Sequence, residues 1–321
     1  MDETIKRVVN AMLAMQRHSW EQGVCAQALY ELGCDELWLS MAYDAVKRMN
    51  KDGRLAMVGG GATVCDPASN GEVCLRAYQK TGDSFFMDGA GKMLEYLMEK
   101  APRTSDGLIC HSTRSFFEGY TAAQVWADGV YMMPPFLAVM GELDEALTQI
   151  RGYRKHLYDA ENKLFYHIKD VDGDRFVRKV HWATGNGWVL MGLARVIATA
   201  KEKGRPEIAE ELTGYLVEVL DGMLPFITAD GRFRDIIDSE DSFIDGTSAM
   251  MMAATVYRGI KEGYLPEKYR LYADKAFLTV TEKIDRYGII REVCGCPDFV
   301  AEGTSAEAQA AYVMAYAWKN K

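Results

Sequence analysis

The sequence predicts an all-α fold, an (α/α)6 toroid of six helical hairpins with short β-like links at one end, and three observations predict it. First, six short segments repeat a polar residue, then Gly, then small and apolar residues: Gln22-Gly23, Asn70-Gly71, Asp128-Gly129, Asn186-Gly187, Asp245-Gly246 and Glu302-Gly303. Their glycines lie 48, 58, 58, 59 and 57 residues apart. Second, each segment opens a largely apolar helix, as at 129–140 and 187–198, and a helix that is apolar all round is buried all round. Third, amphipathic stretches at 37–49, 86–100, 207–223 and 269–284 lie between them. These bury one stripe and solvate the other, so each repeat holds one outer and one inner helix. Open helical solenoids repeat at roughly 34–47 residues. The longer spacing here favours a closed ring, with residues 1–321 read as one catalytic barrel domain.

The links repeat too. Turn signals open short β-like runs at Asp52-Gly53, Asp106-Gly107, Asp230-Gly231 and Tyr287-Gly288, and Asn162-Lys163 fits without the glycine. Glycine supplies the positive φ that such turns need. The sixth residue of each run is Met57, His111, His167, Asp235 or Glu292, so four of the five are titratable. In a toroid the inner helices run parallel and their N-termini gather at one mouth. Unpaired N–H groups there carry partial positive charge and favour an anion. The polar residue before each glycine sits near an N-cap, and capping alone would explain any one of them.

Composition narrows the function. Hydrophobic residues make up 49% of the chain, enough for a large core, and the net charge of −9 argues against a general nucleic-acid binder. No stretch approaches the roughly 20 apolar residues of a membrane span, and the N-terminus lacks the apolar run of a signal peptide. Seven scattered cysteines, an odd number, read as a reduced cytoplasmic protein. A Walker loop, a dinucleotide-binding Gly-x-Gly-x-x-Gly and a Gly-x-Ser-x-Gly elbow are all missing. Cys294-Gly295-Cys296 is a weak metal signal, so neither a cofactor nor a metal is expected.

Two helix entrances stand out. In Trp126-Ala127-Asp128-Gly129 a carboxyl lies among aromatics, where its pKa can rise until it works as a general acid. His181-Trp182-Ala183-Thr184-Gly185-Asn186-Gly187-Trp188 brings two Trp and a His to the next inner helix, and pyranose rings stack on such faces. Asp66, in Cys65-Asp66-Pro67, offers a second carboxylate or merely a turn-initiating Asp-Pro. His18, His111 and His167 precede inner helices or lie in links, and as a set on one face they suit ligand contacts.

Taken together, Trp126-Ala127-Asp128, Thr184-Gly185-Asn186-Gly187-Trp188, Thr81-Gly82-Asp83 and Gly303-Thr304-Ser305-Ala306-Glu307 resemble glycoside hydrolase family 105. These are the unsaturated rhamnogalacturonyl hydrolases, related to the unsaturated glucuronyl hydrolases of family 88. The resemblance runs over about 10–319 with the motifs in order. It implies an (α/α)6 barrel acting on oligosaccharides that end in a Δ4,5-unsaturated uronic acid, as pectin-degrading lyases leave them. It further implies that Asp128 protonates C4 and activates water to add at C5, with Asp66 as the second acid. His111, His167, Trp182 and Trp188 match substrate-contact positions, and Trp126, His181, Thr184 and Asn186 fall within the same motifs. Family members often carry Arg where this chain has Thr184. A neutral Thr removes a strong carboxylate partner. Either Arg114, Arg178 or Lys179 substitutes, or the substrate differs. Two other classes compete: a sugar epimerase or isomerase with His111, His167 or His181 as base, and a non-catalytic sugar-binding toroid that has no need of Asp128.

Overall fold

A computed structural model describes residues 2–321. Twelve helical arms alternate between an outer and an inner ring. The outer helices are α1 (Glu3–Met15), α3 (Asp35–Lys47), α5 (Ser84–Glu95), α8 (Leu143–Leu157), α10 (Pro206–Met223) and α12 (Arg270–Glu282). The inner arms are α2 (Ser19–Leu32), α4 (Gly71–Thr81), the pair α6 (Gly129–Met132) and α7 (Pro134–Met140), α9 (Ala183–Glu202), α11 (Gly246–Lys261) and α13 (Ala306–Lys319). Burial separates the rings as the apolar patterning requires: 17 of the 20 residues of α9 are buried, against 8 of the 18 of α10. Each inner helix packs on the next, and α13 returns to α2, so the ring closes. This is the (α/α)6 toroid that the spacing predicts.

Two departures have local causes. The arm expected over 129–140 is split at Met133, because Pro134 and Pro135 supply no N–H to continue the first segment. The fourth inner helix begins at Ala183, ahead of Gly187, so Thr184 and Asn186 belong to its opening turns.

Three of the repeated glycines serve packing rather than ligand approach. A Cβ on Gly71 would lie 2.2 Å from the Phe136 ring, one on Gly23 2.0 Å from Ser69, and one on Gly129 2.5 Å from Tyr153. At Gly71 and Gly23 neighbouring inner arms meet, and at Gly129 an inner arm meets the outer helix α8. Gly71→Ala is therefore expected to cost roughly 1–3 kcal/mol through overpacking against a rigid ring. Chemical denaturation of the two proteins would measure it, and a neutral result would remove the packing role.

Nine short strands lie in the links: β1 (Gln124–Trp126), β2 (Tyr158–Asp159), β3 (Leu164–Phe165), β4 (Ile168–Asp170), β5 (Arg175–Arg178), β6 (Phe233–Arg234), β7 (Ile244–Asp245), β8 (Val293–Cys294) and β9 (Glu302–Gly303). They form a β1-β4-β5 sheet and three two-stranded ribbons, all antiparallel. Their sixth positions share a task. The carbonyl of His111 accepts from Val64 N–H, that of His167 from Ala127, that of Asp235 from Ala183 and that of Glu292 from Gly246, at 2.7–2.9 Å. Each link thus pins the entrance of the inner helix before it. That sets His111 beside Asp66 and ties the His167 backbone to Ala127, the residue before Asp128. Among the described residues no helix is long and apolar enough to cross a membrane.

Candidate active site

The six helix entrances do meet. The Asn70 amide donates to the Ser19 carbonyl (2.9 Å), Trp20 Nε1 to the Glu307 carboxyl (3.0 Å), and Thr184 Oγ1 to the Asp245 carboxyl (2.8 Å). Asp66 and Asp128 join the second and third arms: with His111 they place three ligating atoms within 4.8 Å of one another.

The polar residues that precede the glycines have unequal fates. Asp245 is a true cap, accepting from the backbone of Thr247 and Ser248 and also from Cys294 N–H. Asn186 clamps its own link, exchanging hydrogen bonds with both backbone groups of Phe165. Glu302 sits on β9, and Ser305 caps α13 in its place. Asp128 occupies the N-cap of α6 and makes no side-chain cap bond. Its Oδ1 is buried without a partner, while Oδ2 lies 3.7 Å from His111 Nδ1. Capping therefore does not explain Asp128.

Burial explains its electrostatics. Asp128 is 8% exposed and Asp66 3%. Loss of hydration raises Asp128 to about 7, and it pushes Asp66 well above the carboxylate range, with the Asp128 charge adding to the rise. Two carboxyls this close cannot both ionise cheaply, so they titrate as a pair. Burial also lowers His111 to about 3, leaving it a neutral imidazole. Its Nδ1 has no hydrogen-bond partner. Unsatisfied buried polar atoms are rare. Here Asp128 Oδ1, His111 Nδ1, Glu307 Oε1 and Gln22 Oε1 are all of that kind, and all belong to or adjoin the helix entrances.

An aromatic wall adjoins the acids. His111 stacks on Trp126 (4.1 Å between centroids, 4° between planes), His167 meets Trp126 edge-on at 5.8 Å, and Trp182 lies 4.3 Å from His167. Burial and the neighbouring Arg178 charge keep His167 neutral. Trp182 is fixed by a 3.0 Å bond from its Nε1 to Asp235. Phe116 and Phe117 extend the surface outward from Trp126, and Phe299 lies against Trp182.

Thus Asp66, Asp128, His111, Trp126, His167 and Trp182 are brought together. Four other expected sugar contacts are not. Trp188 is a core side chain packed on Tyr131. Thr184 is wholly buried with its hydroxyl committed to Asp245, and Asn186 is committed to Phe165. His181 stacks on Tyr166 and is held between Asp238 (2.7 Å) and Asp159 (3.3 Å), outside the cluster. Helix phase and local acids, which a motif does not display, turn these side chains elsewhere.

A model of Glycosyl Hydrolase Family 88 matches residues 1–312. The chain belongs to glycosyl hydrolase family 88. It is a glycosidase, which sets aside the isomerase and the silent binding toroid. One relative, the unsaturated rhamnogalacturonyl hydrolase YesR of Bacillus subtilis (strain 168), is 23% identical over 303 residues, 91% of this chain and 83% of that enzyme. Among solved structures, a possible family 105 member from Salmonella enterica superposes with a TM-score of 0.83 at 15% identity, covering 98% of this chain and 92% of that one. The unsaturated glucuronyl hydrolase of Bacillus sp. GL1 gives 0.66 at 14% identity, covering 92% and 83%. At these identities the likeness carries the fold.

The helix entrances hold one further buried acid, at the sixth arm. Glu307 is buried, raised well above the carboxylate range by desolvation and by Glu21, and bonded to Trp20. A signal was available. The segments Gly246-Thr247-Ser248-Ala249 and Gly303-Thr304-Ser305-Ala306 are twins, and one continues with the core residue Met250 while the other continues with Glu307.

Proposed function

We propose that this enzyme removes a terminal Δ4,5-unsaturated uronic acid from lyase-generated oligosaccharides by hydrating the C4=C5 bond, with rhamnogalacturonan fragments as the preferred class. The observation that carries the reading is Asp128: a buried, uncapped carboxyl that stays protonated to about pH 7 beside an aromatic wall. Ordinary retaining or inverting glycosidases need one ionised carboxylate opposite an acid. Here both Asp66 and Asp128 are held toward the neutral form, which suits protonation of an alkene rather than displacement at C1.

In the proposed sequence the π pair takes the Asp128 proton at C4, and the positive charge at C5 is shared with the ring oxygen. Water adds at C5 and gives its proton to the Asp128 carboxylate. The hemiketal then opens and the neighbouring sugar leaves as an alcohol. Asp66, neutral beside Asp128, limits the cost of the transient carboxylate by offering it a proton. Half-buried Trp126 offers a face for a sugar ring, and the buried Trp182 backs the wall behind His167. The YesR likeness favours a rhamnose neighbour. Seven free cysteines fit a reducing, cytoplasmic setting.

Hydration destroys the ultraviolet absorbance of the conjugated bond. Purified enzyme is expected to bleach rhamnogalacturonan lyase products, and unchanged absorbance across a panel of lyase products would end the hydrolase reading. Asp66, His111 and Asp128 could also share a cation, and a bound cation would invert their protonation. Because the proposed steps need Asp128 as an acid, exhaustive chelation is expected to leave the rate within about twofold. Loss of activity that returns with a divalent metal would replace the acid mechanism by a metal-assisted one.

A further inference from the structure

The proposed substrate is an anion, yet the groups gathered at the helix entrances are acids: Asp66, Asp128 and Glu307 are all buried there. The uronate carboxylate needs a counter-charge, and Thr184 has none to give. Lys179 lies over the rings of Tyr166 and Phe176 at 5.2 and 5.4 Å. Arg114 is exposed and has no ion pair among the described residues.

Arg178, at the end of β5, is placed differently. One guanidinium nitrogen lies 3.1 Å from His167 Nδ1, in the aromatic wall itself. Because Arg can only donate, Nδ1 is the acceptor, and the ring proton of His167 resides on Nε2. A second nitrogen is 3.9 Å from Asp235 Oδ2, beyond hydrogen-bond reach, while Asp235 Oδ1 is occupied by Trp182 Nε1. The guanidinium is therefore oriented by a neutral hydrogen-bond acceptor, and Asp235, whose other oxygen is held by Trp182, forms only a long ion pair with it at 3.9 Å. Its side chain is 26% exposed, so it can meet a ligand. Arg presents a planar fork suited to bidentate carboxylate binding. We infer that Arg178 is the specificity-determining cation of this site and binds the C6 carboxylate of the unsaturated uronide. The inference rests on the hydrolase reading for its substrate, and on the His167–Arg178 geometry for its residue.

The test compares an unsaturated uronyl disaccharide as the free acid and as its methyl ester, which lacks the charge. The intact enzyme should prefer the acid. In Arg178→Gln, kcat/KM for the acid is expected to fall about 10- to 100-fold, chiefly through KM, with the ester changed less than about threefold. Arg178→Lys should recover part of the loss. The same ligands are titrated calorimetrically against Asp128→Asn with and without Arg178→Gln, so that binding is read without turnover. An Arg178-dependent preference for the acid in binding would support this inference even if turnover never occurred and the hydrolase reading failed. Equal losses for acid and ester, or an acid preference retained in Arg178→Gln, would overturn it.

Discussion

Asp128→Asn should abolish turnover and at the same time make the protein more stable above neutral pH. General acid catalysis contributes about 10²–10⁴ in rate, and Asp128 is proposed both to deliver the proton to C4 and to receive one from water. A loss of at least about 10³-fold in kcat is expected, with KM nearly unchanged because the amide keeps the shape. The stability change has the opposite sign. The carboxyl is raised from 3.8 in the unfolded chain to about 7 in the fold. Its contribution is fully favourable below about pH 4 and is lost as pH rises through about 7. Above that the folded state holds a buried, poorly partnered carboxylate. Replacing it with a neutral amide should gain about 2–4 kcal/mol at pH 8 and little at pH 4. Thermal melts at the two pH values measure this. A variant that is inactive but equally destabilised at both would place Asp128 among structural residues.

The second large effect is on the pH profile of the intact enzyme. The reactive form carries a protonated Asp128, so kcat/KM should be flat on the acid side and fall about tenfold per pH unit above about 7. His111 does not add an acid limb in the working range, since burial keeps it neutral down to about 3. Burial and the Asp128 charge push Asp66 in the same direction as Asp128, toward the protonated form. A bell with a base titrating near pH 4–5 would instead indicate the two-carboxylate displacement of ordinary glycosidases. Rates at constant ionic strength from about pH 4 to 9 distinguish the two shapes.

How much of this was legible in the sequence depends on which physical property left a periodic trace. The ring left one, because inner arms that pack closely on their neighbours require small residues at a recurring spacing. Gly71 against Phe136 and Gly129 against Tyr153 are that requirement in atoms. Asp128 and Trp126 were legible because a carboxyl next to an aromatic is unusual at a helix start. The link positions His111 and His167 were visible as a recurring sixth residue, although the reason, a carbonyl that pins the preceding entrance, belongs to the tertiary structure. Other features left no such trace. Thr184, Asn186 and Trp188 share the conspicuous motif of Trp182, but the helical rotation turns them into the core and toward Asp245 and Phe165. The charge of Arg178 becomes meaningful only when β5 pairs with β4 and sets it against His167.

Running the reaction in deuterium oxide and following it by proton NMR distinguishes protonation of an alkene carbon by Asp128 from protonation of an acetal oxygen. The C4 vinyl signal is expected to disappear at the same rate as the neighbouring sugar is released, with one deuterium delivered to C4. Release of that sugar while the vinyl signal persists on the freed uronic acid would show cleavage at C1 and contradict protonation of the alkene.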